Sequence, residues 1–455
     1  MTKDRSVSGG CDFQDGLCGA EREYDLCIIG AGVAGLNALF VASRYLGRDA
    51  QVAIVDRNAT CGGMWNSVYD YVRLHQPYRL FTVGDIAWRL DKPADYLANG
   101  AEVLDHFQHC LARIRRDLSL DAYWECEVTD IRECDGQGCR TVDVAIQPTT
   151  VCAEERIIRT KRVIDARGFD VPTIEPLALS SKAVVSLAPR QFSSVLTGSD
   201  ARPIYVVGGG KTGLDTAHAA LTDNPNRKVA LIAGRGTVFT NRDIVFPVRL
   251  QRLFGRRSNL SAAIDTVMRF DGTNAADVVD YYRRTYGITP VDQAENFFFG
   301  LLSENESAFV RKRLTTTISD YLTDVADTQD GPRIQLRGGE TIPVEESAVI
   351  VNCTGYLTRR QSPMKPLLSG SGRVLSITPR AAFNVLPGIS AYFSTHLMFQ
   401  GALQDPAFFI IDNEALLETD DKTWHMAALA QVIYNTIYAL DVLPMKAFQE
   451  FGLDF

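Results

Sequence analysis

The sequence predicts an α/β fold, and three observations lead there. The apolar run Leu26–Ile29 passes directly into Gly30-Ala31-Gly32-Val33-Ala34-Gly35. A second run, Ile204–Val207, passes into Gly208-Gly209-Gly210-Lys211-Thr212-Gly213. Each unit then continues into another apolar strand, residues 51–56 and 228–235. Both glycine stretches fit G-x-G-x-x-G at a strand-to-helix turn, where glycines let the backbone approach a pyrophosphate and the helix N-terminus supplies N–H groups. Two such βαβ units predict two Rossmann-like dinucleotide-binding domains. The first is read as discontinuous, residues 23–175 and 346–455, with the second, residues 176–345, inserted into it.

The residues closing the second strand of each unit differ in charge. Asp56 ends the first, 26 residues beyond Gly30, and Arg57 follows it. A carboxylate at that place accepts hydrogen bonds from both hydroxyls of an unmodified ribose. No acid closes the second unit; Arg235 stands there instead, 27 residues beyond Gly208. Its guanidinium either pairs with a ribose 2′-phosphate or remains a solvated loop cation, with Arg227 and Lys228 as nearby substitutes. The first site is therefore expected to take FAD or NAD, and the second NADPH.

Composition narrows the class. The chain has 455 residues, 46% hydrophobic, and a net charge of −8, with no long basic stripe for nucleic acid. Its ten cysteines are scattered and include no C-x-x-C, which removes the dithiol relay of disulfide reductases and suits a reducing cytoplasm. No cysteine–histidine spacing reads as a metal site. Residues 26–43 carry no charge, yet they divide into strand, turn and helix, so no membrane span is expected. Gly210-Lys211-Thr212 resembles a P-loop end, but that motif needs glycine where Tyr205 stands.

Along the chain, residues 1–22 read as a flexible leader and 58–88 as a long glycine- and aromatic-rich loop. Helical spacing of Val103, Leu104, Phe107, Cys110, Leu111 and Ile114 marks a helix over 101–118. Alternation at 124–128 and 141–146 around Asp135-Gly136 predicts an antiparallel insert, after which 162–168 returns a strand to the first sheet. Residues 240–320 are expected to form a helical insert containing Phe297-Phe298-Phe299, and the chain after Pro406 to be helical.

Four features together are distinctive: the first fingerprint with Asp56, Gly62-Gly63-Met64-Trp65, the second fingerprint, and the paired strand ends Asp165-Ala166-Arg167-Gly168-Phe169 and Asn352-Cys353-Thr354-Gly355-Tyr356. Tyr71-Val72-Arg73-Leu74-His75-Gln76-Pro77 adds an L-H-x-P segment. Over residues 24–356 this combination resembles the flavin-containing monooxygenase superfamily, including its auxin-forming and Baeyer–Villiger branches. The resemblance implies a resident FAD, a visiting NADPH, and a C4a-(hydro)peroxyflavin that oxygenates a small organic substrate with O2. It departs from the family at residues 182–188, where no F-x-G-x-x-x-H histidine stands, and at Arg167, a nucleotide contact or a salt-bridge residue.

Within that picture Gly63, Met64 and Trp65 are expected to wall the flavin. Asn66, His75 and Gln76 are the catalytic candidates facing its ring or ribityl chain. Lys211 and Thr212 should touch phosphate or the nicotinamide ribose, and Thr354 and Gly355 the cofactor at a domain crossing. A flavoprotein reductase that inserts no oxygen, or a non-catalytic dinucleotide-binding protein, are the alternative readings.

Overall fold

The computed structural model describes residues 23–134, 140–150, 154–167, 173–247, 259–355, 363–404 and 407–451. The leader, the Asp135-Gly136 turn, Gly168, Phe169, Tyr356 and Pro406 lie outside them. Five parallel strands form the first sheet, in the order Ser119–Tyr123, Gln51–Val55, Leu26–Ile29, Val163–Asp165, Val374–Ser376. Leu26–Ile29 is buried throughout, as a central parallel strand must be when both faces are covered. Leu26 and Ile28 point into a core shared with helices Val33–Tyr45 and Gly100–Ile114. Cys27 and Ile29 point the other way, onto Val128, Val144 and Ile146 of the antiparallel strands Cys126–Glu133 and Val142–Pro148.

The second sheet repeats the scheme. Its order is Thr316–Ile318, Val229–Ile232, Ile204–Val207, Val349–Asn352, Val185–Leu187, all parallel. Helix Lys211–Asp223 packs on one face, and a three-stranded antiparallel meander, Leu322–Thr328, Gly331–Leu336 and Thr341–Pro343, covers the other.

Two expectations change here, and one helix is new. Val349–Asn352 pairs with Ile204–Val207, so it belongs to the second sheet; the chain rejoins the first only at Val374–Ser376, well beyond residue 346. An apolar run announces a strand but carries no label for its sheet. The 240–320 insert is mixed rather than helical: Thr237–Asn241, Gly287–Ile288 and Asn296–Leu302 form a small sheet beside helices Asn259–Val267, Ala275–Tyr286 and Glu304–Arg313. Phe297 lies in that sheet, buried edge-on to Tyr282 at 5.1 Å. Finally, helix Pro387–Gln400 packs along Val33–Tyr45 with Ser390 to Met398 all buried. A helix buried on every side shows no apolar stripe, so periodicity cannot reveal it.

Among the described residues no helix is long and apolar enough to cross a membrane, and no cluster of ligating side chains fits a metal ion. All six histidines are held below their ordinary value, burial being the largest cause in each: His75 and His396 to about 4, His106 and His425 to about 3, with His109 and His218 also lowered. A folded value below the unfolded one means that the unfolded chain takes up more protons as pH falls. The stability tied to these groups is full above pH 6.5 and lost as pH drops from there toward 4. The melting temperature should therefore fall steeply across that window; a flat profile would contradict the burial of these rings.

Candidate functional site

Each fingerprint is a tight turn in which the first glycine has a positive φ, +94° at Gly30 and +123° at Gly208. A Cβ on Gly30 would stand 2.9 Å from the Ala166 carbonyl oxygen, and one on Gly208 2.6 Å from that of Cys353. The last glycine is tighter still, since Cβ atoms on Gly35 and Gly213 would fall 1.7 and 1.9 Å from the carbonyl oxygens of Gly30 and Gly208. The middle glycines differ. Gly32 lies against Gly63, whereas a Cβ on Gly210 would meet nothing within 4 Å.

The helices that follow are left open at their N-termini. Gly32 and Gly210 occupy the cap positions with no side-chain cap, and neither first turn holds an acid. Helices Gly100–Ile114 and Glu304–Arg313, by contrast, begin with complete capping boxes. Uncapped N–H groups at the positive end of a helix are what a phosphate requires.

Asp56 sits at the end of its strand, almost fully buried. One carboxylate oxygen accepts from Ala31 N–H at 2.6 Å, and the other from the backbone and side-chain N–H of Asn58 at 2.8 Å. A carboxylate accepts about four hydrogen bonds, so one lone pair remains for a ribose hydroxyl. Arg57 is exposed beside it. An open depression of about 520 Å³, lined by Arg115, Asp121, Tyr123 and Trp124, adjoins this turn, for Asp56 N–H donates to the Tyr123 carbonyl at 3.0 Å.

The loop after Asp56 folds back over the first fingerprint. Gly62 N–H donates to the Ala31 carbonyl at 2.9 Å, and residues Gly63–Ser67 form a 3-10 turn. Met64 is exposed, while the Trp65 ring meets Phe81 edge-on at 5.8 Å. Asn66 donates its amide to the Thr60 carbonyl at 3.3 Å, so it supports this loop from beneath Gly62. His75 and Gln76 are half-buried farther along. Burial, with Lys211 and Arg242 nearby, holds the His75 imidazole at about 4, neutral near pH 7.

Lys211 is committed elsewhere than expected. Its ammonium is paired with Asp215 one turn along the helix, with both side chains nearly buried. The expected phosphate contact therefore competes with an internal carboxylate. Asp215 also accepts from the Tyr69 hydroxyl at 2.9 Å. Thr212 is half-buried, and its carbonyl accepts from the Thr216 hydroxyl at 2.8 Å. Neither Asp215 nor Tyr69 was singled out from sequence, although an acid four residues after a lysine on a helix is a readable pair. Arg242 pairs with Glu306 at 2.5 Å, and Asn241 caps the short helix Arg242–Val245 through Asp243 N–H. His218 packs on Phe309 at 4.7 Å.

The two remaining arginines separate by partner. Arg167 grips the buried Asp165 with two 2.8 Å hydrogen bonds, which assigns it to the salt bridge. Burial alone would raise the Asp165 carboxyl, yet Arg167 and Lys365 hold it below the usual range. Arg235 follows Gly234 at the end of Val229–Ile232, 39% exposed and loosely paired with Asp421 at 3.4 Å. Thr354 and Gly355 are exposed just beyond Val349–Asn352, Thr354 N–H being held by the Asn352 side chain at 3.1 Å.

Two glycine turns at strand-to-helix junctions, with the loop after the first touching the helix after the second, define an oxidoreductase with paired dinucleotide sites. The sequence profile of the pyridine nucleotide-disulphide oxidoreductases matches residues 24–253, and the chain belongs to that family, which implies flavin and nicotinamide cofactors. An uncharacterised protein of Mycobacterium tuberculosis (strain H37Rv) is 24% identical over 406 residues, spanning 85% of this chain and 68% of its own. Among solved structures, cyclohexanone monooxygenase with bound epsilon-caprolactone superposes with a TM-score of 0.55 at 13% identity, over 94% of this chain and 99% of its own. An ornithine N-hydroxylase from Kutzneria sp. 744, with reduced FAD, NADP+ and L-ornithine, gives 0.50 at 15% identity, over 84% and 98%. Both share this fold.

The glycines supply a direct check on the second site. Gly213→Ala should unfold the second unit, because its methyl lands on a carbonyl oxygen. Gly210→Ala has room and should cost no more than about 1 kcal/mol of stability, while weakening dinucleotide binding. Thermal unfolding and titration with NADP+ separate the two; equal melting temperatures for both variants would refute the packing.

Proposed function

We propose that this chain is an FAD- and NADPH-dependent monooxygenase that oxygenates a small organic substrate with O2. The observation that carries the reading is the pairing of two uncapped, acid-free helix N-termini, one backed by Asp56 and the other leading to Arg235. The shared fold with an N-hydroxylase and a cyclohexanone monooxygenase supports the same reaction class. Against a dithiol mechanism, Cys61 beside Gly62 is fully buried and burial pushes its thiol up, away from thiolate chemistry. Cys27, Cys61, Cys110, Cys126 and Cys353 are free thiols, which suits a reducing, cytoplasmic setting.

The residues fit the two groups. Asp56 would take the FAD ribose, with its adenosine end toward the depression at Tyr123 and Trp124. Gly30, Gly32 and Gly35 would admit the pyrophosphate; Gly63 and Trp65 would border the ring. Bound FAD supplies hydride acceptance and oxygen activation. Asn66, His75 and Gln76 would line the ring's polar side, and a neutral His75 would act as a hydrogen-bonding group rather than a cation. Gly208, Gly210, Thr212 and Gly213 would seat the NADPH pyrophosphate through backbone N–H groups, with Thr354 and Gly355 opposite. Lys211 would reach it only by leaving Asp215.

Arg235→Ala should weaken NADPH binding roughly 10- to 100-fold, the worth of one charge-assisted contact, and leave NADH nearly unchanged. An equal loss with both would remove Arg235 from the 2′-phosphate. Oxygen insertion is read with isotopically labelled dioxygen across amines, sulfides and ketones. Label in a product supports the monooxygenase; stoichiometric peroxide with every compound would make the protein a reductase that inserts no oxygen.

A further inference from the structure

Four polar contacts cross from the 58–88 loop of the first unit into the second, all from residues 69–75. Tyr69 donates to Asp215 at 2.9 Å, and the Tyr71 hydroxyl lies 2.8 Å from that of Thr216. Arg242 donates to the His75 carbonyl at 3.2 Å. Thr216 gives its own proton to the Thr212 carbonyl, so the Tyr71 hydroxyl proton is shared between Thr216 and the Pro189 carbonyl, 3.3 Å away. The Tyr71 ring packs edge-on to the buried Phe192 at 6.0 Å, within the apolar core of the second unit. It also lies against its neighbour Tyr69, ring centres 4.5 Å apart.

The partners share one helical face. Lys211, Thr212, Asp215 and Thr216 stand at successive positions of a single stripe on helix Lys211–Asp223. That helix starts at the second fingerprint, while the loop starts at Gly62 and Gly63 against the first. The Thr216 hydroxyl also accepts from Cys353 at 3.3 Å, which ties Tyr71 to the strand end before Thr354 and Gly355. One tyrosine pair thus connects the nucleotide-bearing helix of one unit to the fingerprint-covering loop of the other.

Apolar surfaces slide at little cost, whereas hydroxyl–carboxylate and hydroxyl–hydroxyl bonds hold both distance and angle. Hydride passes between two rings only near contact, and a misplacement of about 1 Å costs on the order of 100-fold. We propose that Tyr69 and Tyr71 are positioning residues that fix the second unit against the first, and so set the approach of nicotinamide to flavin. The inference rests on the two-cofactor reading above.

The test uses Tyr69→Phe, Tyr71→Phe and the double variant, each keeping its ring. Rapid mixing with NADPH reads the limiting rate of flavin bleaching and the NADPH dissociation constant separately. The double variant should bleach at least 10-fold more slowly with a dissociation constant within about threefold of wild type. Tyr281→Phe, which removes a 2.6 Å hydroxyl–carboxylate bond to Asp265 inside the second unit, serves as control and should keep the rate. Independently of turnover, calorimetry should show one unfolding transition for the wild type and two for the double variant.

An unchanged bleaching rate in the double variant would overturn the proposal, as would an equal loss in Tyr281→Phe. A wild type that NADPH fails to bleach would instead sink the two-cofactor reading beneath it. Calorimetry then still judges the tie between the units, and a single transition in the double variant would refute it.

Discussion

Everything in this molecule follows from how closely a helix can leave a strand. In both units the turn is pressed against the end of the neighbouring strand, Gly30 on Ala166 and Gly208 on Cys353, while Gly35 and Gly213 bring the helix down onto the turn itself. No residue with a Cβ permits that approach. Its consequence is directional: the helix N-terminus opens over the carboxyl edge of the sheet, where adjacent strands lead to opposite sides. Because glycine caps these helices and no acid follows, their first N–H groups keep their hydrogen-bonding capacity for a ligand.

Around these openings the charges compensate one another. Lys211 is held by Asp215, Arg242 by Glu306, and Asp165 by Arg167 and Lys365. A buried charge persists only when it is paired, since desolvation outweighs any gain from an isolated ion. The Glu306 carboxyl shows the balance: burial would raise it, yet Lys211, Arg242 and Ser303 hold it at about 2. Arg235 differs because its carboxylate partner Asp421 is exposed and the contact is long, its other partner being the neutral Tyr321 hydroxyl. An incoming phosphate displaces such a partner at small cost. Burial of the partner carboxylate thus distinguishes the other cations from Arg235.

Much of this was legible in the residues. Strand, turn and helix at 26–45 and 204–223 follow from local chemistry, as do the alternating strands near 126 and 142 and the capped helix after Asn99. The buried Asp56 stands at the strand end its spacing indicated. Other elements carried no local sign. Helix Pro387–Gln400 is buried on every side, so nothing marked its face. The 240–320 insert interleaves short strands with helices, and the Phe297 strand resembles any apolar run. The Lys211–Asp215 pair, by contrast, is readable from its spacing of four on one helix.

By itself, then, the sequence determined the two glycine turns, the opposite charges that follow them and the strands on which they ride, since each depends on residues within a few turns of chain. Only the tertiary structure decided which sheet receives Val349–Asn352, which lysine joins Arg167 on Asp165, and where Tyr69 and Tyr71 dock. Those contacts join distant parts of the chain, such as Tyr69 to Asp215 and Tyr71 to Thr216. The physical reason is that a hydroxyl's partner depends on what packing brings within 3 Å, and no periodicity along a chain encodes that distance.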